Sequence, residues 1–134
     1  MNRATVELPA AARAFLTRPH TASFTTLRPD GTPHVTPVRF TFDTATGLAR
    51  VTTRAGARKA RNVLAGGPEA RTALCQADDF RWVTLEGRAT VTDDPVHLAE
   101  AVRRYTHRYR AQPPEPLDLV VIEIAVDRVL SLNL

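Results

Sequence analysis

Apolar positions along the chain change period several times, and each change marks an element. Leu8, Ala12, Phe15 and Leu16 share one helical face, so residues 8–18 are expected to form an amphipathic helix with Pro9 in its first turn. Residues 21–27, rich in Thr and Phe, read as a strand, and Arg28-Pro29-Asp30-Gly31-Thr32 reads as a turn. A second strand is expected over 34–42; Pro37 inside it removes a ladder donor and so predicts an edge or a bulge. After the loop Asp43-Thr44-Ala45-Thr46-Gly47 come a third strand at 48–53 and a short helix at 57–64 that Gly66-Gly67-Pro68 ends. Residues 70–76 and 82–92 are strands, the second with the clearest alternation. Val83, Leu85, Ala89 and Val91 face one way, and Gly87 falls in register with them at a predicted close backbone approach. Asp93-Asp94-Pro95 opens a longer helix over 95–110, carried on Leu98, Val102, Tyr105 and Tyr109. The apolar run 119–126 reads as a buried strand, and a short segment follows to Leu134.

These elements sum to about six strands and three inserted helices, a mainly β protein. Hairpin connections favour an antiparallel barrel over a Rossmann sheet, and the chain has no Gly-x-Gly-x-x-Gly, no Walker motif and no internal repeat. With 134 residues, 43% of them hydrophobic, a single domain over 1–134 is expected. No apolar run approaches the ~20 residues of a membrane helix. Residues 1–7 lack a signal-peptide core, so a cytoplasmic protein is expected. The one cysteine, Cys75, is read as a packed strand residue, and no Cys/His spacing suits a metal.

Charge narrows the partners. The net charge is +4 and the pI about 10.2, which favours anionic ligands. The arginines are dispersed and only eight residues are aromatic, so neither a basic tail nor a base-stacking platform is present and nucleic acid is not expected as a partner. Of 18 Lys and Arg residues only Lys59 is lysine. An arginine-rich composition accounts for its rarity; its setting is more informative. In Val51-Thr52-Thr53-Arg54-Ala55-Gly56-Ala57-Arg58-Lys59-Ala60-Arg61-Asn62 a strand end meets a turn and a helix start carrying clustered cations. Free amides, helix dipole and cationic side chains together suit a phosphate. A solvated cationic face is the competing reading.

Three stretches, in order and spacing, resemble the flavin/deazaflavin oxidoreductase superfamily built on a split β-barrel, the pyridoxamine 5′-phosphate oxidases among its members. They are Thr25-Thr26-Leu27-Arg28-Pro29-Asp30-Gly31-Thr32-Pro33-His34-Val35, Thr52-Thr53 with Ala57-Arg58-Lys59-Ala60-Arg61-Asn62, and Trp82-Val83-Thr84-Leu85-Glu86-Gly87-Arg88-Ala89. The resemblance spans about residues 14–132. Within the superfamily the chain is most similar to the deazaflavin branch, which includes F420-dependent biliverdin reductases, on His34-Val35, Phe40-Thr41-Phe42-Asp43, Arg50-Val51 and Arg104-Tyr105 to Arg108-Tyr109-Arg110.

The resemblance implies a six-stranded antiparallel split β-barrel that homodimerises to complete its pocket. It puts the phosphate of a cofactor tail on Arg58 and Lys59, with help from Thr52, Thr53 and Arg54. It lays the ring system along His34, Val35, Thr36, Pro37 and Val38, with Trp82 and Phe80 nearby, across a dimer interface. The implied cofactor is coenzyme F420, with FMN as the alternative. The implied reaction is hydride transfer from reduced deazaflavin to a conjugated small molecule, biliverdin to bilirubin. An FMN-dependent oxidase of pyridoxamine or pyridoxine 5′-phosphate and a non-catalytic module for cofactor, haem or tetrapyrrole are the alternatives. No catalytic residue and no metal site are assigned; Glu86 and Arg88 share a strand face and are read as pairing with other residues of the barrel or interface. Arg103, Arg104, His107, Arg108 and Arg110 are read as an exposed, solvated basic face, the sharper alternative being that one or two of its arginines meet the carboxylates of a tetrapyrrole.

Overall fold

In the computed structural model, residues 6–134 are described; residues 1–5, which include most of the segment read for a signal core, lie outside them. The chain runs through α1 (Ala10–Leu16), β1 (Ala22–Leu27), β2 (Pro33–Val38), β3 (Thr41–Asp43), β4 (Leu48–Arg54), α2 (Arg58–Gly66), a 3-10 turn (Gly67–Glu69), β5 (Arg71–Asp78), β6 (Arg81–Thr92), α3 (Pro95–Tyr109) and β7 (Leu119–Leu132). The seven strands form one sheet in the order β2-β1-β5-β6-β7-β4-β3, every pairing antiparallel.

The strand count corrects the expected six, and the sheet is not closed. The segment 34–42, read as one strand, is two strands at opposite edges of the sheet, joined across the split by Arg39 and Phe40 alone. Phe40 is buried, and the Tyr109 hydroxyl bonds both its N–H and its carbonyl at 3.0 Å. That clasp satisfies the backbone where no strand partner is available. Pro37 lies on an edge strand as expected. The β1–β2 register runs unbroken from Ala22 opposite Val38 to Leu27 opposite Pro33, so the bulge alternative is not realised.

The core lies between the inner face of the curled sheet and the short helices α1 and α2. Phe24, Phe40, Leu74, Val83, Leu85, Ile122 and Ile124 are fully buried there. Gly87 confirms the predicted close approach: a Cβ at that position would stand 2.0 Å from the Ala125 carbonyl oxygen. The contact coincides with a bulge. Glu86 opposes Arg128 but Gly87 opposes Val126, which leaves Asp127 as the extra residue of β7. Arg71 of β5 holds Asp127 through a forked ion pair, with Nη2 donating to Oδ1 at 2.8 Å. Past the bulge β7 continues to Leu132, six residues beyond the predicted run at 126.

α3 packs on β3, β4 and β7. Asp94 caps its start, accepting from the Val96 and His97 amides at 3.2 Å, with Pro95 as the first helical residue. α1 is shorter than the predicted 8–18 at both ends, because Pro9 is its cap and Thr17 closes it.

Candidate functional site

The split between β2 and β4 opens into a cleft of about 590 Å³. Pro37, Val38 and Arg39 line it from the β2 edge, Thr52, Thr53 and Arg54 from β4, Lys59 from α2, and Tyr105 from α3. Pro114, Glu115, Pro116 and Leu119 close it from the segment that enters β7. Six of the residues singled out by sequence therefore line this one cleft: Pro37, Val38, Thr52, Thr53, Arg54 and Lys59.

α2 begins as the sequence predicts. Its N-cap, Ala57, offers no side-chain hydrogen bond, and no acidic residue occupies the first turn. The amides of that turn keep their partial positive charge, and Arg58 and Lys59 stand on it. Neither has an acidic partner among the described residues. Lys59 is half-buried and lines the cleft; Arg58 is exposed beside it. Arg54 differs, since its Nε reaches Asp118 Oδ1 at 3.4 Å.

The inward side of β2 adds two orphaned groups. His34 Nδ1 and Thr36 Oγ1 are buried with no hydrogen-bond partner. Burial, and then the charges of Arg28, Lys59 and Arg58, hold the His34 imidazole below its ordinary range, so it is neutral at pH 7. His34 is thus electrostatically coupled to the cationic start of α2. Val35 and Pro37 point the other way and are exposed.

Trp82 is not on this cleft wall. It lies on the outer face of the sheet, opposite Leu132 and Ala77. Phe80, in the turn before β6, is 82% exposed.

Arg39 and Tyr105 were missed as site residues. Arg39 Nη1 donates to the Tyr105 hydroxyl at 3.0 Å, and its guanidinium lies 5.8 Å and 5.0 Å from the Tyr105 and Tyr109 ring centroids. The sequence pattern placed Arg39 inside a continuous strand and Tyr105 on an apolar helix stripe. Their meeting spans 66 residues of chain, and no local signal marks it.

The basic face predicted on α3 is only partly free. Arg108 donates to the carbonyls of Leu16, Arg18 and His20 and to Gln76 Oε1, tying the end of α1 to the sheet. Arg104 bonds Glu100 and Asp43. Hydrogen bonds from Arg103 and Arg104 lower the Glu100 carboxyl to about 2. With Arg103, His107 and Arg110 these residues line a separate cleft of about 490 Å³ against α1 and β3. This cleft and the Lys59 cleft share no lining residue.

Comparison with known proteins agrees with this fold. The chain is 45% identical over 131 residues to the F420H(2)-dependent biliverdin reductase of Mycobacterium tuberculosis, covering 98% of this chain and 93% of that protein. A solved structure named F420 Reductase is 25% identical with a TM-score of 0.70, covering 92% of this chain and 98% of the other. A conserved hypothetical protein of Mycobacterium tuberculosis, 24% identical, matches at a TM-score of 0.73 over 98% of this chain and 89% of its own. The model of the pyridoxamine 5′-phosphate oxidase family matches residues 8–133, and the chain belongs to that family.

Proposed function

We propose that this chain is a coenzyme F420-dependent reductase that delivers hydride to a conjugated small molecule, with biliverdin to bilirubin as the reaction. The observation that carries the reading is the unpaired Lys59 on the uncapped first turn of α2, facing the cleft at the split of the sheet. The 45% identity to an F420H(2)-dependent biliverdin reductase supports the choice of cofactor and substrate. In this reading the whole of residues 1–134 is one cofactor-binding domain.

The residues present fit such a group. Lys59, Arg58 and the α2 amides hold the tail phosphate, with Thr52 and Thr53 as hydroxyl donors beside them. Arg54 contributes less, because Asp118 already engages it. Along β2, the neighbours of the cleft residues Pro37 and Val38 include two buried polar atoms without a partner, His34 Nδ1 and Thr36 Oγ1, which are available to a ligand that extends along the strand. Pro37 and Val38 complete that edge as a surface for the ring system where β2 lines the cleft. A bound reduced deazaflavin supplies the hydride. The chain contributes placement and exclusion of water, using Val38, Pro116 and Leu119 as apolar walls.

The functional unit in this reading is a homodimer. Val35, Pro37, Cys75, Trp82, Leu130 and Leu132 lie on the outer face of the sheet at its β2-β1-β5-β6 side, away from α3, which packs on β3, β4 and β7. Pro37 belongs both to that face and to the cleft wall, so a second copy seated on the face adjoins the cleft. Trp82 would then serve the pocket only through the assembled dimer. Light scattering at micromolar concentration checks this; a monomer overturns it.

The experiment for the cofactor is a parallel titration with F420 and FMN, followed by addition of biliverdin to the reduced F420 complex. Oxidation of the coenzyme with appearance of bilirubin supports the reading. Preferential FMN binding, with turnover of a pyridoxine phosphate, replaces it with an oxidase. Tight coenzyme binding without turnover replaces it with a binding module.

A further inference from the structure

The cleft contains a second unpaired cation that the tail phosphate does not use. Arg39 comes from the crossing between β2 and β3, and among the described residues it has no carboxylate partner. Glu115 lines the same cleft and makes no ion pair with it. The nearby arginines of α3 are otherwise placed: Arg103 and Arg104 share Glu100, and Arg108 is consumed by backbone carbonyls. Two cations without a carboxylate partner among the described residues, Arg39 and Lys59, thus line one cleft, an arrangement suited to two anionic groups.

The setting of Arg39 also selects the kind of anion. One N–H is committed to the Tyr105 hydroxyl at 3.0 Å, and the guanidinium is held over the Tyr105 and Tyr109 rings. Tyr109 is itself fixed by hydrogen bonds to Phe40 and His20, so the platform beneath the guanidinium is rigid. A guanidinium with a fixed plane and free N–H groups matches the two oxygens of a carboxylate, and its ordering cost is already met by the rings. Beside it the walls are apolar: Val38, Pro114, Pro116 and Leu119.

From this geometry we infer that Arg39 forms a carboxylate subsite, and that the substrate of this cleft is a conjugated, apolar molecule bearing at least one carboxylate. The inference rests on the proposed reductase reading and deepens it, since the propionates of a bilin are the groups that would dock there. Arg39 binds and orients the substrate, and no proton or hydride passes through it.

The test compares biliverdin with its dimethyl ester, in wild type, Arg39→Gln and Arg39→Lys, by equilibrium binding and by steady-state reduction with reduced F420. Wild type should bind the diacid about tenfold or more tighter than the ester, as loss of one charge-assisted bond implies. Arg39→Gln should erase that preference by raising KM for the diacid alone, with kcat and F420 affinity within about twofold of wild type. Arg39→Lys, which keeps the charge but loses the fork, should fall between. Equal affinity of wild type for diacid and ester, or a preference that survives in Arg39→Gln, overturns the subsite. Arg39-dependent binding of the diacid without any turnover leaves the subsite standing and overturns the reductase reading instead.

Discussion

Removal of Lys59 separates a ligand-binding cation from a merely solvated one. The structure sets the magnitude. Lys59 is half-buried on an uncapped helix start and has no acidic partner, so its charge is free to meet an anion without first breaking a bond. A hydrogen bond to a charged group is worth about 1.5–3 kcal/mol. At roughly 1.4 kcal/mol per tenfold, Lys59→Ala should weaken F420 binding by about ten- to 150-fold. Arg58→Ala should fall toward the lower end, since Arg58 is more exposed. Arg54→Ala should cost about threefold or less, because Arg54 exchanges its Asp118 partner for the ligand and both groups are largely solvated. Global stability should drop little in Lys59→Ala, since among the described residues this ammonium makes no ion pair whose loss would cost stability. Fluorescence titration with F420, beside thermal melts of each variant, reads both quantities. Unchanged affinity in both Lys59→Ala and Arg58→Ala would refute the phosphate assignment. So would a larger loss in Arg54→Ala than in either, because the ranking follows from the ion pair alone.

Four further outcomes are expected. Burial and then the charges of Arg28, Lys59 and Arg58 depress the His34 imidazole; an anion bound beside it offsets the charge part, so F420 binding should take up a proton and tighten as pH falls below the ordinary histidine value near 6.5; a flat pH profile, or the same profile in His34→Gln, counts against it. His97 has the opposite sign: its hydrogen bond to Glu123 Oε2 at 2.8 Å, with the Glu123 charge, raises its pKa. Its stabilisation is complete below about 6.5 and lost as pH rises through the raised folded value, so the melting difference between wild type and His97→Gln should shrink at alkaline pH. Gly87→Ala should destabilise by about 3 kcal/mol or more in denaturant titration, since the new Cβ has only rigid backbone to displace. Asp94→Ala should cost about 1 kcal/mol through two uncapped amides of α3.

Where the sequence was legible, one local pattern had one physical cause. Gly87 interrupted an otherwise clean alternation, and the backbone of Ala125 fills the space a side chain would need. Asp94-Pro95 announced a helix start through hydroxyl-free but carboxylate-based capping, and the cap is present. Lys59, Thr52 and Thr53 could be placed together because strand, turn and helix are consecutive, so their proximity needs no long-range contact. The errors fall where a distant partner decides. From Val38 to Phe42 nothing local breaks the strand pattern; the chain leaves one sheet edge for the other where Tyr109, on α3, satisfies Phe40. The end of β7 was misjudged for a related reason. Asp127 is an extra residue, so the period-2 burial slips after Val126 and the sequence seems to stop alternating while the strand goes on. Both misreadings bear on the site. A continuous strand over 34–42 would have kept Arg39 in a ladder with its side chain alternating in and out. The break instead lifts Arg39 onto the Tyr105 and Tyr109 rings at the mouth of the cleft. The split that removes hydrogen bonds from two edges is therefore also what frees a guanidinium to face the cleft. The residues least visible in the sequence are the ones whose position depends on the sheet failing to close.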